Sequence, residues 1–326
     1  RRSQLAEPAW AKKAKEGRAS DIKPCINCLI GCIDRGMLSH TPIHCTVNPS
    51  LYRFECKPVE KAETRKQVAV VGAGPAGCEA ALTASKRGHQ VTIYEKRCIG
   101  GAMIEASKPE NKANIKRLIH YYEDHIMHDP NITLVKEEVE YETLVHSGYD
   151  AVIIAVGGKT RILNVPGIEK NSVIYASDYL NGSTAVTGNT VVVIGGGITG
   201  AETALELNAE GKKVTIVEMT DAFLANFSSA CQAYLATINE TDIKILTGKR
   251  LTAVHENNVI LTDRWGNETT VPADSVVIAA GFTRQNELSD KLEENTDMQV
   301  FNVGDSKRVR QIYDAIHEGF IAARQI

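Results

Sequence analysis

Four cysteines crowd near the start of the chain, Cys25, Cys28, Cys32 and Cys45, in the stretch CINCLIGCIDRGMLSHTPIHC, with spacers of 2, 3 and 12 residues. Thiolates are soft ligands that select zinc or iron and sulfide, and four from one short loop can wrap a single centre. Structural zinc is the plainest reading, because a two-residue first spacer suits a tetrahedral site of four thiolates. Three of the four ligands fall within eight residues, a spacing that wraps one corner of a cubane and favours a [4Fe–4S] cluster. Disulfides are the weakest alternative in a chain with no export signal. The remaining cysteines offer no rival pair: Cys78, Cys98 and Cys231 stand apart, so no redox dithiol is spelled, and Cys56 reads as a spare thiol. His40 and His44 lie inside the loop, but a histidine between cysteine ligands is more often a neighbour than a ligand, and neither is assigned.

A second chemistry-bearing pattern occurs twice. VAVVGAGPAGCEAALTASKRGHQVTIYEK, from Val68, recurs as VVVIGGGITGAETALELNAEGKKVTIVEM, from Val191. Gly72, Gly74, Gly77, Glu79 and Glu95 become Gly195, Gly197, Gly200, Glu202 and Glu218, each 123 residues on. Both copies read as a β-branched strand, a glycine turn, an Ala/Leu-rich helix and a second strand ending in Glu. In such a unit the first glycine permits the turn, the second lets the backbone approach a pyrophosphate, and the third lets helix and strand pack closely. The helix N-terminus adds free N–H groups and the positive end of its dipole. Glu95 and Glu218 stand where a carboxylate accepts both hydroxyls of an adenosine ribose. A carboxylate at 218 repels a 2′-phosphate, and no arginine directly follows it in EMTDAF, so NADH is favoured over NADPH, although Lys212 and Lys213 precede that strand.

The elements that must position these residues are set by pattern and bulk. The 326 residues are 43% hydrophobic, 24% charged and 6% aromatic, which fits a globular chain with more than one domain. A net charge of −3 gives no broad basic field, so nucleic acid and anionic membrane are not expected partners. No apolar run approaches the ~20 residues of a membrane helix, and AVIIAVGG and VVVIGGGI are strand-length. The expectation is a soluble, cytoplasmic protein, and a first residue of Arg1 rather than Met reads as part of a longer polypeptide. The fold class is α/β, with two Rossmann-like dinucleotide-binding domains preceded by the cysteine-rich segment. The expected boundaries are 1–64 for that segment, 65–185 for the first part of the first nucleotide domain, 186–283 for the second, and 284–326 for a return segment.

The two copies differ in their downstream segments. After the first come Gly100-Gly101, the helical stretch KANIKRLIHYYEDHI and the strand AVIIAVGG. After the second, VHENNVILTDRWGNETTVPADSVVIAAG reads as a β-meander closed by a strand, and VFNVGDSKRVRQIYDAIHEGFIAARQI as strand, Gly304-Asp305 and an amphipathic helix. This order resembles the two-dinucleotide-binding, glutathione reductase-like flavoproteins. The resemblance implies FAD on Gly72, Gly74, Gly77, Glu95, Gly101, Gly157, Gly304 and Asp305, with Asp305 at the ribityl chain. It implies NADH on Gly195, Gly197, Gly200, Glu218 and Gly281. It also directs the positive end of the last helix toward the flavin ring.

Across nearly its whole length the chain resembles a narrower group. RRSQLAEPAWAKKAKEGRASDIKPCINCLIGCIDR, then HCTVNP, then the double fold, is similar to the C-terminal half of the Old Yellow Enzyme-related iron–sulfur flavoenzymes. These include 2,4-dienoyl-CoA reductase, 2-enoate reductase, trimethylamine dehydrogenase, the bile-acid oxidoreductases of gut anaerobes and bilirubin reductase. The resemblance implies an N-terminal TIM barrel with FMN as partner domain. It also implies a small unsaturated substrate whose activated C=C bond is reduced there, and electrons that pass from NADH through FAD and the cluster. Catalytic residues would belong to the barrel and are not assigned; Arg1 or Arg2 would be the remnant of its last turn. A homo-oligomer is left open. Rival readings are an electron-transfer subunit resembling the small subunit of glutamate synthase, and a non-catalytic nucleotide scaffold with structural zinc. Trp10, Trp265, Tyr121 and Tyr122 read as packing or surface aromatics. KKAKEGR reads as a solvated face, and His317 with Glu318 as structural.

Overall fold

The computed structural model describes residues 2–51, 58–225 and 228–326. Arg1 and Cys56, and the readings attached to them, lie outside the described residues. Two compact units divide the chain, one running to Lys159 and resuming over Thr283–Ile326, the other spanning Thr160–Phe282. No helix among the described residues is long and apolar enough to cross a membrane.

In the first unit, the fingerprint strand Gln67–Val71 is the centre of a five-stranded sheet. Gln90–Tyr94 and Ile132–Val135 lie on one side, Ala151–Ile154 and Gln299–Asn302 on the other, and every pairing is parallel. Parallel sheets are covered on both faces, so their strands are apolar throughout rather than alternating, and Val68, Ala69, Val70, Val152 and Ile153 are fully buried. The first fingerprint helix, Pro75–Arg87, starts on a proline and stops at Gly88 in the left-handed region. The terminal helix, Ile312–Gln325, lies against it, starting from a capping box between Gln311 and Asp314. Ala6, Ile26 and Val47, from the segment carrying the four cysteines, are buried in the same apolar core as these elements.

The second unit repeats the layout. Thr190–Ile194 is central, flanked by Lys213–Val217 and Lys244–Leu246 on one side and by Ser275–Ile278 and Val173–Tyr175 on the other, again all parallel. The expected meander is a three-stranded antiparallel sheet of Lys249–Val254, Asn258–Asp263 and Glu268–Pro272.

The boundaries depart from those read in the sequence. Residues 160–185, expected with the first nucleotide domain, fold with the second, because Val173–Tyr175 forms its edge strand and Tyr179 and Leu180 enter its core. A three-residue strand carries too little periodicity to declare its allegiance. The described part of the segment expected over 1–64 is not separate: its Ala6, Ile26 and Val47 share the core of the first unit.

Candidate functional site

All four loop cysteines are free thiols, partly buried, and all four line one cavity of about 20 Å³. Ile26, Leu29 and Val47 complete its apolar wall. The chain reaches this shape through an unusual backbone: Asn27 and Leu29 take left-handed conformations at φ 56° and 62°, and a π-helical stretch runs from Ile30 to Leu38. For a γ-branched residue such as Leu29 that conformation is costly, and it persists only where the surroundings impose it. The loop is closed by His44, whose N–H donates to the Gly31 carbonyl at 2.6 Å, and a Cβ on Gly31 would lie 2.8 Å from the His44 carbonyl oxygen.

The sulfurs have few polar neighbours. Thr46 Oγ1 lies 3.0 Å from Cys28 Sγ, and the Asn27 N–H donates to Cys25 Sγ at 3.5 Å. Burial pushes the Cys28 thiol up, and pushes Cys45 up to about 11. Such sulfurs become thiolates only beside a positive centre, and the donor set is all sulfur, which fits a soft metal or an iron–sulfur cluster. Among the described residues no group of three or more Cys, His, Asp or Glu side chains is arranged to hold a single metal ion. A cubane differs in that it takes one thiolate at each iron corner, so its ligands surround a volume instead of a point.

The glycine turns divide their labour alike in both copies. Gly72 and Gly195 sit at φ 100° and 119°, and a Cβ on either would lie 2.4 Å from a carbonyl oxygen, that of Ala155 or Ala279. A Cβ on Gly77 or Gly200 would lie 1.9 Å from the oxygen of Gly72 or Gly195, so helix and strand can meet only over glycine. The middle glycines differ: Gly197 has nothing within 4 Å of its Cβ position and Gly74 only the Gly101 Cα at 4.0 Å. That open space is where a backbone must approach a diphosphate, and the arrangement fits a dinucleotide in each unit.

The carboxylates repeat as well. Glu95 accepts the N–H of Ala73 at 2.7 Å and of Arg97 at 2.7 Å. Glu218 accepts the N–H of Gly196 at 2.8 Å, and of Thr220 at 2.7 Å with its hydroxyl at 2.8 Å. Each acid is thus fixed across the mouth of its own glycine turn. Gly157 and Gly281 stand three residues beyond the strands Ala151–Ile154 and Ser275–Ile278, both with positive φ and open Cβ positions. A Cβ on Gly101 would lie 2.9 Å from the Gly74 Cα, so the Gly100-Gly101 turn closes over the first glycine loop. Gly304 donates its N–H to Glu318 at 2.7 Å, and Asp305, pushed up by burial, accepts the N–H of Arg310 at 2.9 Å.

Several residues that sequence reasoning left aside join this arrangement. Gly319 lets the terminal helix meet the first fingerprint helix, since a Cβ there would lie 2.1 Å from the Ala76 carbonyl oxygen. Glu318, placed only as structural, joins Gly304 to Arg310. Tyr122 is fully buried with its hydroxyl on Glu79, and Tyr234 repeats that bond to Glu202 in the second unit. His44, Tyr313 and His317 stack beside Cys45. Their partners are over 260 residues apart in sequence, and no local pattern signals such pairs. The lone cysteines remain apart: Cys78 and Cys231 are buried and Cys98 is exposed.

Two parallel-sheet units, each opening on a glycine turn spanned by a carboxylate, define the class of oxidoreductases that bind two dinucleotides. The sequence profile of the pyridine nucleotide-disulphide oxidoreductases matches residues 66–319, and the chain belongs to that family. It is 37% identical over 333 residues to the NADH oxidase of Thermoanaerobacter brockii, covering 100% of this chain and 51% of the relative. It is 31% identical over 330 residues to the cinnamate reductase of Clostridium sporogenes, covering 99% of this chain and 48% of the relative. The solved complex of 2-naphthoyl-CoA reductase with 2-naphthoyl-CoA matches it with a TM-score of 0.89 at 30% identity, over 100% of this chain and 50% of that one. The chain therefore spans about half the length of the relatives it matches, and it corresponds to the C-terminal half of that group, as the sequence resemblance implies. Family membership places it among the pyridine nucleotide-dependent oxidoreductases.

Proposed function

We propose that this chain is the NADH-oxidising half of an ene-reductase, in which Cys25, Cys28, Cys32 and Cys45 hold a [4Fe–4S] cluster that links its FAD to an FMN-bearing TIM-barrel domain. The observation that carries this reading is the convergence of four free thiols on one small apolar cavity, in a segment sharing its core with the first nucleotide unit. Bound together, a flavin takes two electrons as a hydride and a cluster takes them singly, which turns a two-electron donor into a one-electron outlet.

The chain's own residues do the holding. Gly72, Gly74 and Gly77 shape the first diphosphate cradle, Glu95 meets the ribose, and Gly101, Gly157, Gly304 and Asp305 line the return toward the flavin. Gly195, Gly197, Gly200, Glu218 and Gly281 would do the same for NADH. Ile26, Leu29 and Val47 give the sulfurs an apolar wall. The described cysteines being free thiols suits a reducing cytoplasm. Cinnamate and 2-naphthoyl-CoA, named in relatives, point to an aryl-conjugated C=C bond as the class of substrate reduced in the barrel.

Anaerobic purification with iron, sulfide and zinc analysis, then titration with NADH, tests the reading. Four irons and four sulfides per chain are expected, with both flavin and cluster absorbance bleached by NADH. An iron-free chain carrying one zinc, or no metal after anaerobic handling, overturns it.

A further inference from the structure

The terminal helix grips the cysteine loop at one place. His317 is buried, 3% exposed, and its Nε2 lies 2.9 Å from the Cys45 carbonyl oxygen. A carbonyl can only accept, so Nε2 carries the proton and the imidazole is fixed in that orientation. The same carbonyl accepts the N–H of Asn48 at 3.3 Å, closing a turn over Cys45–Asn48.

A second link runs beside the first. Tyr313, one turn earlier on the helix, stacks on His317 at 4.1 Å between ring centroids, and its hydroxyl lies 2.8 Å from His44 Nδ1. His44 in turn donates its N–H to Gly31, the neighbour of Cys32. The helix that begins beyond Gly304-Asp305 is thereby joined to the last two cysteines of the loop.

We infer that His317 is a positioning residue for the cluster: by donating to the Cys45 carbonyl, it fixes the turn that carries the fourth thiolate. An N–H donated to a ligand's own carbonyl holds that ligand in place and turns the positive end of a dipole toward the cluster, which favours the reduced, more negative state. The inference rests on the proposed cluster, since without one the turn has nothing to tune.

The test compares the full chain with His317→Leu, His317→Gln and His317→Asn, with iron and sulfide measured first in the unsubstituted protein and flavin content confirming folding. Two readouts serve: the rate at which a chelator bleaches the cluster, and the cluster's midpoint potential. Loss of a group that orients a metal ligand lowers metal retention about 10- to 100-fold, so His317→Leu should bleach faster by at least the lower figure, with a more negative potential. His317→Gln, whose amide N–H reaches the same carbonyl, should restore both. Unchanged bleaching and potential in His317→Leu overturn the inference. If that variant does not accumulate, the shorter Asn should bleach faster than Gln, and equal rates overturn it. An iron-free unsubstituted chain instead overturns the proposed function and this inference with it.

Discussion

Lys23 Nζ lies 2.5 Å from a carboxylate oxygen of Glu79, and the two side chains are 12% and 8% exposed. Tyr122 donates its hydroxyl to the same oxygen at 2.8 Å, and the ammonium stands 5.5–5.6 Å from the ring centres of Tyr121 and Tyr122. Glu79 belongs to the first fingerprint helix and Lys23 precedes Cys25 by two residues, so the pair ties the start of the cysteine loop to the nucleotide fold, as His317 ties its end.

Replacing one member of a buried ion pair strands the other charge. Lys23→Met should destabilise the first unit by about 3–5 kcal/mol, and combining it with Glu79→Gln should recover most of that, because no buried charge is then left alone. Urea unfolding of the intact chain, monitored by release of flavin fluorescence, measures both. Equal midpoints for Lys23→Met and the unsubstituted protein would show that the pair contributes nothing.

Glu218 is held across the second glycine turn by Gly196 and Thr220, and on the proposed reading it would meet a ribose there and reject a 2′-phosphate. Lys212, which precedes the strand Lys213–Val217 leading to Glu218, already donates to the Gly188 carbonyl at 2.9 Å. Glu218→Ala should therefore lower the preference for NADH over NADPH by about tenfold, the equivalent of about 1.4 kcal/mol. The ratio of flavin reduction rates at low concentrations of the two nucleotides reads it directly. A ratio that does not move would place the discrimination elsewhere.

His89 is fully buried, its Nδ1 accepting the Lys66 N–H at 3.1 Å while its Nε2 has no partner among the described residues. Burial first, then the nearby Arg87 and Lys66, lower its pKa below 6.5. The unfolded chain then binds a proton that the folded chain refuses, so stability falls as pH drops below about 6.5 until the folded value is reached. His89→Gln should remove that part of the slope. Urea midpoints at pH 7.5 and 5.5 compare the two proteins, and identical slopes would remove His89 as the source.

Much of this is legible in the sequence. The two fingerprints are local patterns, and local patterns are what periodicity and turn chemistry encode: the glycines at 72, 74 and 77 and at 195, 197 and 200 stand where their spacing places them. The reach of the second unit is not legible, because Val173–Tyr175 is recruited by Ser275–Ile278 from a hundred residues away. The residues fastening the loop are hidden for the same reason. Lys23, Tyr122, His44, His317 and Gly319 are ordinary in their own neighbourhoods, and they acquire meaning only through partners brought by the fold.

By itself the sequence determined that this chain would build two dinucleotide folds and present four thiols together, since each depends on residues within about one supersecondary unit of one another. Only the tertiary structure decided that the thiol loop is moored at both ends to the helices of the first fold. Those moorings are single hydrogen bonds and one ion pair between distant segments, and their energy depends on burial, which no stretch of sequence possesses until the chain has packed.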